Sequence, residues 1–529
     1  MPKVLIADEI SKEGIAILKT DLEVAYEPDI SAEELLKKIA DYDALLVRSR
    51  TKVTKEVLKQ GKNLKVVGRA GVGVDNIDLE AATEAGVLVI NSPEGNTASA
   101  AEHTLAIMLS LARQIPSADS SVKSGKWERS SFMGSELFNK TLGLIGLGKV
   151  GGRVAQYALS LGMKVLVHDP LISAEKAEEL HLHKASLDEI WSKADFITVH
   201  TPKTRETANM INKEVLSKLK PGVKIVNTSR GGIIDEKALA EAIKSGHVSG
   251  AALDVFDQEP PGADFQLNKL GNQVVLTPHL GASTVEAQHN VAIDLAEQLR
   301  DFLLTGMAKS PVNLPFMRPE LLKGLGRYLW LAEAMGAIAA QLNSGNIDKV
   351  EIAVAGGLTS RDTQPLVVAA LKGVFTHQVE GVTYVNAQLV ARNHGIEVCV
   401  SMHEARQYPD ELTVVISSNG NKSAVTGTIL AHGEPIITLI NDYPISLSPA
   451  RYMLFTSHRD QPGMVAKVAG ILGENQINIS TMAVARRGVR DEAVMVMTLD
   501  DPLDAPLIGK FTAVTGINRA CFVSLHHLK

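Results

Sequence analysis

Cysteine is nearly absent: only Cys399 and Cys521 occur in 529 residues, far apart and without metal-ligating neighbours. That scarcity excludes a disulfide framework and a thiolate metal centre, and no metal site is expected. Two buried structural thiols in a reducing cytoplasm are the expectation. Long apolar runs are missing too, since none reaches the roughly 18–20 residues that a bilayer span needs. The opening stretch MPKVLIAD reads as a strand at once and leaves no room for a signal or transit peptide. No basic block points to nucleic acid, and the net charge is an unexceptional −6 with 22% charged residues. What is present is length. A chain of 529 residues is too long for one core, and three or four domains are expected.

The richest stretch is 141–169, TLGLIGLGKVGGRVAQYALSLGMKVLVHD. Its apolar run at 142–145 predicts a buried strand, and Gly146, Gly148 and Gly151 follow at GxGxxG spacing. A helix over 150–161 and a second strand over 164–168 come next, and Asp169 ends the unit. Gly146 serves a tight turn, Gly148 lets a pyrophosphate approach the backbone, and Gly151 lets the helix pack on the strand. The helix N-terminus offers free N–H groups and positive dipole to that pyrophosphate. Asp169 can accept both ribose hydroxyls and would repel a 2′-phosphate, which predicts NAD rather than NADP.

Around this unit the pattern alternates. Strands are predicted at 4–7, 45–47, 65–67 and 87–90, with helices at 31–40 and 78–85, giving a first parallel α/β unit without its own glycine fingerprint. A helix over 96–115 is apolar nearly all round in its second half, as expected of an interdomain or intersubunit element. Further strands are predicted at 195–200, 224–228, 251–255 and 273–277. A long helix over 283–304 then returns the chain to the first unit. Pro311, Pro315 and Pro319 mark an exit linker. Residues 320–446 mix two helical stretches with strands such as 349–355 and 411–417. The last eighty residues read strand, helix, strand, strand, helix, strand, a ferredoxin-like βαββαβ module.

Three residues in the second unit follow predicted strands, where parallel sheets build their sites. They are Arg230 in NTSRGGIIDE, Glu259 in ALDVFDQEPP and His279 in LTPHLGAST. Oxidising a 2-hydroxy acid needs a base for the hydroxyl proton, a hydride acceptor and a cation for the carboxylate. An imidazole such as His279 suits the first task. Glu259 can hold that ring, and Arg230 can clamp a carboxylate in bidentate fashion. Singly, each has a plainer reading: a core or capping histidine, a loop acid, a surface ion pair. As a trio beside the fingerprint they point to catalysis.

GLGKVG, NTSRGGIIDE, ALDVFDQEPP and TPHLGAST together resemble the D-isomer-specific 2-hydroxyacid dehydrogenases. LLVRSRTKVT (45–54), VVGRAGVGVDNIDLEAAT (66–83), NSPEGNTASAAEHTLAIMLSLARQIP (91–116) and GKWERSSFMG (125–134) narrow the resemblance. They are similar to the branch that oxidises 3-phospho-D-glycerate to 3-phosphooxypyruvate at the entry to serine synthesis. The resemblance is close over 1–313, and the remainder resembles that branch's long form, with an intervening domain and a C-terminal ACT domain. The fold it implies is α/β. Two Rossmann-like, flavodoxin-like doubly wound domains, the first split by the second, precede an α+β intervening domain and the ACT module. The expected divisions are 1–96 with 288–313, 97–287, 314–447 and 448–529.

The resemblance also implies residue roles. Arg230, Glu259 and His279 take the catalytic places. Lys149, Val150, Thr201, Thr228, Ser229, Arg230, Asp254, His279, Gly281 and Ala282 join the fingerprint around NAD, and Val72 lies near the nicotinamide. Arg48, Arg50 and Arg69 are candidates for the substrate's phosphate and carboxylate, with Asn96 and Thr97 at the cleft mouth. In FTSHRDQPGMVAKVAGILGENQINIS, His458 and Asp460 fall in the loop before the first ACT helix and Asn478 opens the next strand. In the family, residues at these places bind the effector L-serine between two ACT domains, although many ACT modules serve assembly alone. A homo-oligomer, dimer or tetramer, is implied, with neither nucleic acid nor membrane as partner. Trp127 and Arg129 are either a packing residue and a surface charge or part of a dimer interface. Arg361 reads as part of a plain turn more readily than as an anion site. A glyoxylate or hydroxypyruvate reductase and an NAD-sensing corepressor can carry the same trio. The arginine set and the ACT domain speak against the reductase, and the C-terminal modules favour a regulated biosynthetic enzyme over the corepressor.

Overall fold

The computed structural model describes residues 1–314, 322–526 and 528. Pro315 and Pro319 of the expected linker lie outside them, whereas Pro311 forms an antiparallel bridge with Ile90.

Strands β1 (Lys3–Ile6), β2 (Glu23–Tyr26), β3 (Ala44–Val47), β4 (Val66–Arg69) and β5 (Leu88–Asn91) form a parallel sheet in the order β2-β1-β3-β4-β5. Strand β3 is buried throughout, as its unbroken apolar sequence requires of an inner parallel strand. The sequence reading missed β2, an edge strand of sequence EVAY with no buried position and hence no apolar run. It also missed the short helices Lys12–Lys19 and Lys55–Gln60.

The second sheet holds β6 (Thr141–Ile145), β7 (Lys164–His168), β8 (His183–Lys184), β9 (Phe196–Val199), β10 (Val223–Asn227), β11 (Val248–Leu253) and β12 (Val274–Leu276). Its order is β12-β11-β10-β9-β6-β7-β8, all parallel. The order reverses between β9 and β6, so the crevice beyond β6 lies at a switch point, where α/β sheets bind ligands. The helix leading into this unit, Thr97–Arg113, buries Leu105, Ile107, Met108 and Leu111. Leu109 stays 36% exposed, so within one chain the helix is not covered all round. It stops at Gln114, whose φ of 52° is left-handed, and Pro116 opens the next helix, Ile115–Lys123.

The long helix Val285–Thr305 returns to the first sheet, where Val291, Ala292, Leu295, Ala296 and Leu299 share one core with β1, β3, β4 and β5. On these contacts we propose that 1–96 with 288–313 is one unit and 97–287 another.

The region after the linker is richer than the sequence suggested. It has helices Gly326–Leu342, Gln364–Phe375 and Ala387–Asn393. Its mixed sheet comprises β13 (Lys349–Gly356), β14 (Glu397–His403), β15 (Asp410–Ser418), β16 (Asn421–Ile429), β17 (Pro435–Ile440) and β18 (Tyr443–Leu447), in the order β14-β13-β15-β16-β17-β18. The final module is as expected: β19 (Tyr452–Arg459), helix Met464–Glu474, β20 (Ile479–Arg486), β21 (Glu492–Leu499), helix Ala505–Thr512 and β22 (Ile517–Ser524). Its antiparallel order β20-β21-β19-β22 is the ferredoxin-like arrangement. One face of this sheet joins the preceding domain's core through Met453, Phe455, Val496 and Val523, and the other carries the module's two helices through Leu454, Met495, Val468 and Phe511. We propose 314–447 and 448–529 as the remaining units. Cys399 and Cys521 are free thiols, only partly buried. Among the described residues no helix is long and apolar enough to cross a membrane, and no cluster of His, Cys, Asp or Glu suits a metal ion.

Candidate active site

The glycine loop leaves β6 through Gly146, at a φ of 92° that L side chains rarely adopt. Gly151 lies so close that a Cβ there would run into the Gly146 carbonyl oxygen. No side chain caps the helix Lys149–Ser160, so its first N–H groups are left for a ligand. Asp169 follows β7 and is held against the loop, its Oδ2 accepting the N–H of Leu147 at 2.7 Å and its Oδ1 that of Leu171 at 2.8 Å. The hydroxyls of Thr97 and Thr201 are buried without a partner, as expected of groups kept for a polar ligand. A groove of about 870 Å³ runs past Thr97, Gly148 and Lys149. Lys149 there pairs with Glu94. Val150 packs on the unit's core. Thr228 bonds Thr104 through its hydroxyl at 2.7 Å, and Ser229 bonds Asn227 at 2.8 Å. This loop, helix end and acid fit a dinucleotide.

A second cavity, of about 660 Å³, lies between the two units. Arg48, Arg69, Val72 and Asn96 line it from one side, and Arg230, Glu259, His279 and Ala282 from the other. The structure thus brings the trio together with two of the three candidate arginines. His279 Nδ1 is 2.8 Å from Glu259 Oε2, and the other oxygen of that carboxylate accepts the Phe256 N–H at 3.1 Å. His279 itself sits at a φ of 56°, a left-handed conformation uncommon outside glycine and recurrent at functional sites. Arg230 forms an ion pair with Asp75, Nε lying 3.1 Å from its carboxylate, and donates one terminal nitrogen to the Ser229 carbonyl at 2.7 Å, leaving its other terminal nitrogen for a ligand. Gly71 and Gly73 leave room for the arginines: a Cβ on either would displace the Arg69 or Arg230 guanidinium from its present position. Burial, and then the nearby Arg230, push the Arg69 guanidinium down to about 10. Its Nε, like the Asn96 side-chain oxygen, has no partner. An anion entering this cavity would satisfy the Arg69 Nε–H, whereas the Asn96 oxygen calls for a donor such as a hydroxyl.

Several expectations need correction. Arg50 does not line the cavity. Its guanidinium bonds Asp8 Oδ1 at 3.1 Å, the Ala7 carbonyl at 2.7 Å and the Pro28 carbonyl, which ties it into the first sheet's loops. Thr97 lines the groove beside Gly148 rather than the cavity that holds the arginines. Asp254 is fully buried and lines neither cavity. Burial raises its carboxyl, but bonds from His103, Thr277 and Leu280 outweigh that and hold it below the ordinary carboxylate range. Gly281 also donates to Asp254, at 2.9 Å, and accepts from Ser99 at 2.8 Å.

Sequence reasoning missed Asp8, Asp75 and His103. Asp8 lies just past β1, as Arg48 lies just past β3 and Arg69 at the end of β4. It is 2% exposed and accepts from Arg48 N, Thr51 and Arg50. Its position beyond a strand end was the available signal.

In the last module His458 lies on β19, not in the following loop. It is 2% exposed with Nδ1 unpartnered, and burial pushes its imidazole below the usual range. Asp460 bonds Arg486 at 2.9 Å and the Arg490 N–H at 3.1 Å, both through one oxygen. Asn478 bonds Asp500 at 2.7 Å. These three do not meet within one chain. On β21, His458 pairs with Ala493, whereas the strand after Asn478 begins opposite Leu499. That separation is roughly 20 Å at ~3.4 Å per residue.

Comparison with known proteins agrees with this architecture. Residues 105–281 match the NAD binding domain of the D-isomer specific 2-hydroxyacid dehydrogenases, 324–441 the D-3-phosphoglycerate dehydrogenase intervening domain, and 452–514 the ACT domain. The chain is 48% identical over 528 residues to the D-3-phosphoglycerate dehydrogenase of a Synechocystis species, covering 99% of this chain and 95% of that one. The enzyme of the same name from Archaeoglobus fulgidus is 43% identical, over 99% of this chain and 100% of its own length. The NAD⁺-bound crystal structure of 3-phosphoglycerate dehydrogenase from Entamoeba histolytica is 31% identical, with a TM-score of 0.50, covering 59% of this chain and 98% of that one. With identity at this level along its whole length, the chain belongs to the D-3-phosphoglycerate dehydrogenases, within the D-isomer specific 2-hydroxyacid dehydrogenase family.

Proposed function

We propose that the chain oxidises 3-phospho-D-glycerate to 3-phosphooxypyruvate, the entry to L-serine synthesis, using NAD. The observation that carries this reading is the cavity in which Arg48, Arg69 and Arg230 face the Glu259–His279 pair. A phosphorylated hydroxy acid has two anionic ends and one reacting hydroxyl, and this wall offers several cations and one imidazole. Bound NAD supplies the hydride acceptor. His279 turns Nε2 to the substrate hydroxyl and takes its proton as the C2–H bond is lost. Glu259 fixes the ring through Nδ1 and stabilises the protonated imidazole. Arg230 clamps the carboxylate and polarises the reacting oxygen. Arg69 and Arg48 hold the phosphate, with Asn96 beside them. On the coenzyme side the helix N-terminus after Gly148 takes the pyrophosphate and Asp169 the ribose, with Thr97 and Thr201 as further donors.

L-serine is the proposed effector at the ACT module, with His458, Asp460 and Asn478 as its contacts. Because one chain separates these residues, the proposal includes a homo-oligomer in which two modules meet. Two free thiols suit a reducing compartment, and we place the protein in the cytoplasm. The test is turnover: purified protein with NAD and 3-phospho-D-glycerate should form NADH, and formation with glycolate or D-glycerate should be far slower. A preference for an unphosphorylated substrate would make the arginine cavity something other than a phosphate site.

A further inference from the structure

The loop from Thr277 to Gly281 carries His279, and three of its polar bonds run to one buried carboxylate. Asp254 Oδ1 accepts the Thr277 hydroxyl at 2.5 Å and the Leu280 N–H at 2.8 Å, and Oδ2 accepts the Gly281 N–H at 2.9 Å. The carbonyl of Asp254 accepts the N–H of His279 itself at 2.9 Å. A carboxylate with no solvent exposure keeps its charge only if donors surround it. One of those donors comes from outside the loop. His103, on the helix Thr97–Arg113, places Nε2 3.1 Å from Asp254 Oδ1 and 3.2 Å from the Thr277 hydroxyl.

His103 is not isolated on its helix. Ser99, one turn earlier, donates to the Gly281 carbonyl at 2.8 Å, and Thr104 bonds Thr228 at 2.7 Å. Positions 99 and 103 share one helix face by the four-residue spacing, and Thr104 lies beside it. Together these residues grip the His279 loop and the strand end before Arg230. The same helix starts at Asn96, on the wall of the substrate cavity.

We propose that His103 is a positioning residue for the proton transfer: by donating to Asp254 it fixes the backbone on which His279 stands. This rests on the reading of the cavity as a hydroxy-acid oxidation site. His103 lines neither of the two cavities, so its loss acts through the aim of His279. A misdirected base lowers the rate of the chemical step more than it weakens ground-state binding.

The test uses two replacements of similar size in the full-length protein. His103→Leu removes the donor, and His103→Gln keeps an N–H near the Nε2 position. The expected result is a ten- to hundredfold lower kcat for His103→Leu, with KM for 3-phospho-D-glycerate within about threefold. His103→Gln should recover most of that loss. In an Asp254→Asn background, His103→Leu should cost less than about threefold more. A leucine variant within twofold of the parent kcat would overturn the proposal. So would equal losses for Leu and Gln, or losses that multiply in the double variant. Melting curves of each variant separate a folding defect from a rate effect, and a Gln variant that melts like the parent yet has lost its rate also counts against the proposal. Should the parent protein prefer another 2-hydroxy acid, that substrate replaces phosphoglycerate, so a wrong substrate assignment and a wrong role for His103 give different results.

Discussion

Glu259 Oε2 and His279 Nδ1 lie 2.8 Å apart, and the Phe256 N–H anchors the other carboxylate oxygen at 3.1 Å. The ring is therefore fixed at one nitrogen and offers the other to the cavity. His279→Ala should lower kcat at least a hundredfold while the Kd for NAD stays within about threefold, because loss of general acid–base catalysis typically costs ~10²–10⁴. Glu259→Gln keeps a hydrogen-bonding side chain but loses the charge, and a smaller loss of kcat is expected. Initial rates and coenzyme titration check both. A His279 variant with most of its turnover would remove it from proton transfer.

Arg48 and Arg69 should behave differently from Arg50. Replacing either of the first two with alanine should raise KM for 3-phospho-D-glycerate by about ten- to a hundredfold, since bonds to a charged group are worth roughly 1.5–3 kcal/mol. A small unphosphorylated 2-hydroxy acid should lose much less. Arg50→Ala should lower the melting temperature and leave substrate discrimination intact, because its guanidinium braces Asp8 and two carbonyls. A selective phosphate defect in Arg50→Ala would return it to the site.

These contrasts show what the sequence made legible. Inner strands such as β3 and β9 are buried on both faces, so their residues must be apolar and their positions stand out. Edge strand β2 faces solvent and leaves no such trace. The trio was readable because each member lies in the loop after a strand, within a distinctive motif. Arg50 shares the motif of Arg48 but not its direction. Two residues along a strand end, the chain has turned toward Asp8, and only the fold reveals the turn. Asp75 and His103 reach the site across the cleft or through the core, and no local spacing encodes that.

Asp169 should decide the coenzyme. Its carboxylate is anchored at the glycine loop by the Leu147 N–H, where the adenosine ribose is expected. Asp169→Ser removes the charge that repels a 2′-phosphate, so the ratio of kcat/KM for NADP to that for NAD should rise. An unchanged ratio would mean that another residue reads the ribose.

His200 lies beneath the glycine loop and bonds Thr198 at 2.9 Å. Burial pushes its imidazole from 6.5 down to about 4. The unfolded chain therefore binds this proton first as pH falls. The neutral ring's contribution is fully present above about pH 6.5 and is lost between there and about 4, by up to about 3 kcal/mol. The melting temperature should drop less between pH 7 and pH 5 in His200→Gln than in the parent. Identical drops would show that other groups set the acid sensitivity.

Serine regulation should depend on assembly. His458 and Asp460 stand at one end of the ACT sheet and Asn478 at the other, so a small amino acid touching all three must lie between two copies. The chemistry at each end suits it. The free oxygen of Asp460 can take the ammonium, and the buried unpartnered Nδ1 of His458 awaits a polar group. L-serine should lower the activity of the full chain, and His458→Ala and Asn478→Ala should each abolish that response while leaving basal turnover within about twofold. Co-expression of the two variants gives the decisive reading. A mixed pair holds one doubly damaged site and one intact site, so partial inhibition should return. If the site were contained in one chain, mixing could restore nothing. The effect must cross from this module to the catalytic cavity, so it is a coupling between two sites and is reciprocal for binding. NAD or substrate should shift the serine Kd in the same proportion as serine shifts theirs. Serine that binds without changing either affinity or turnover would leave the module with a ligand and no regulatory role.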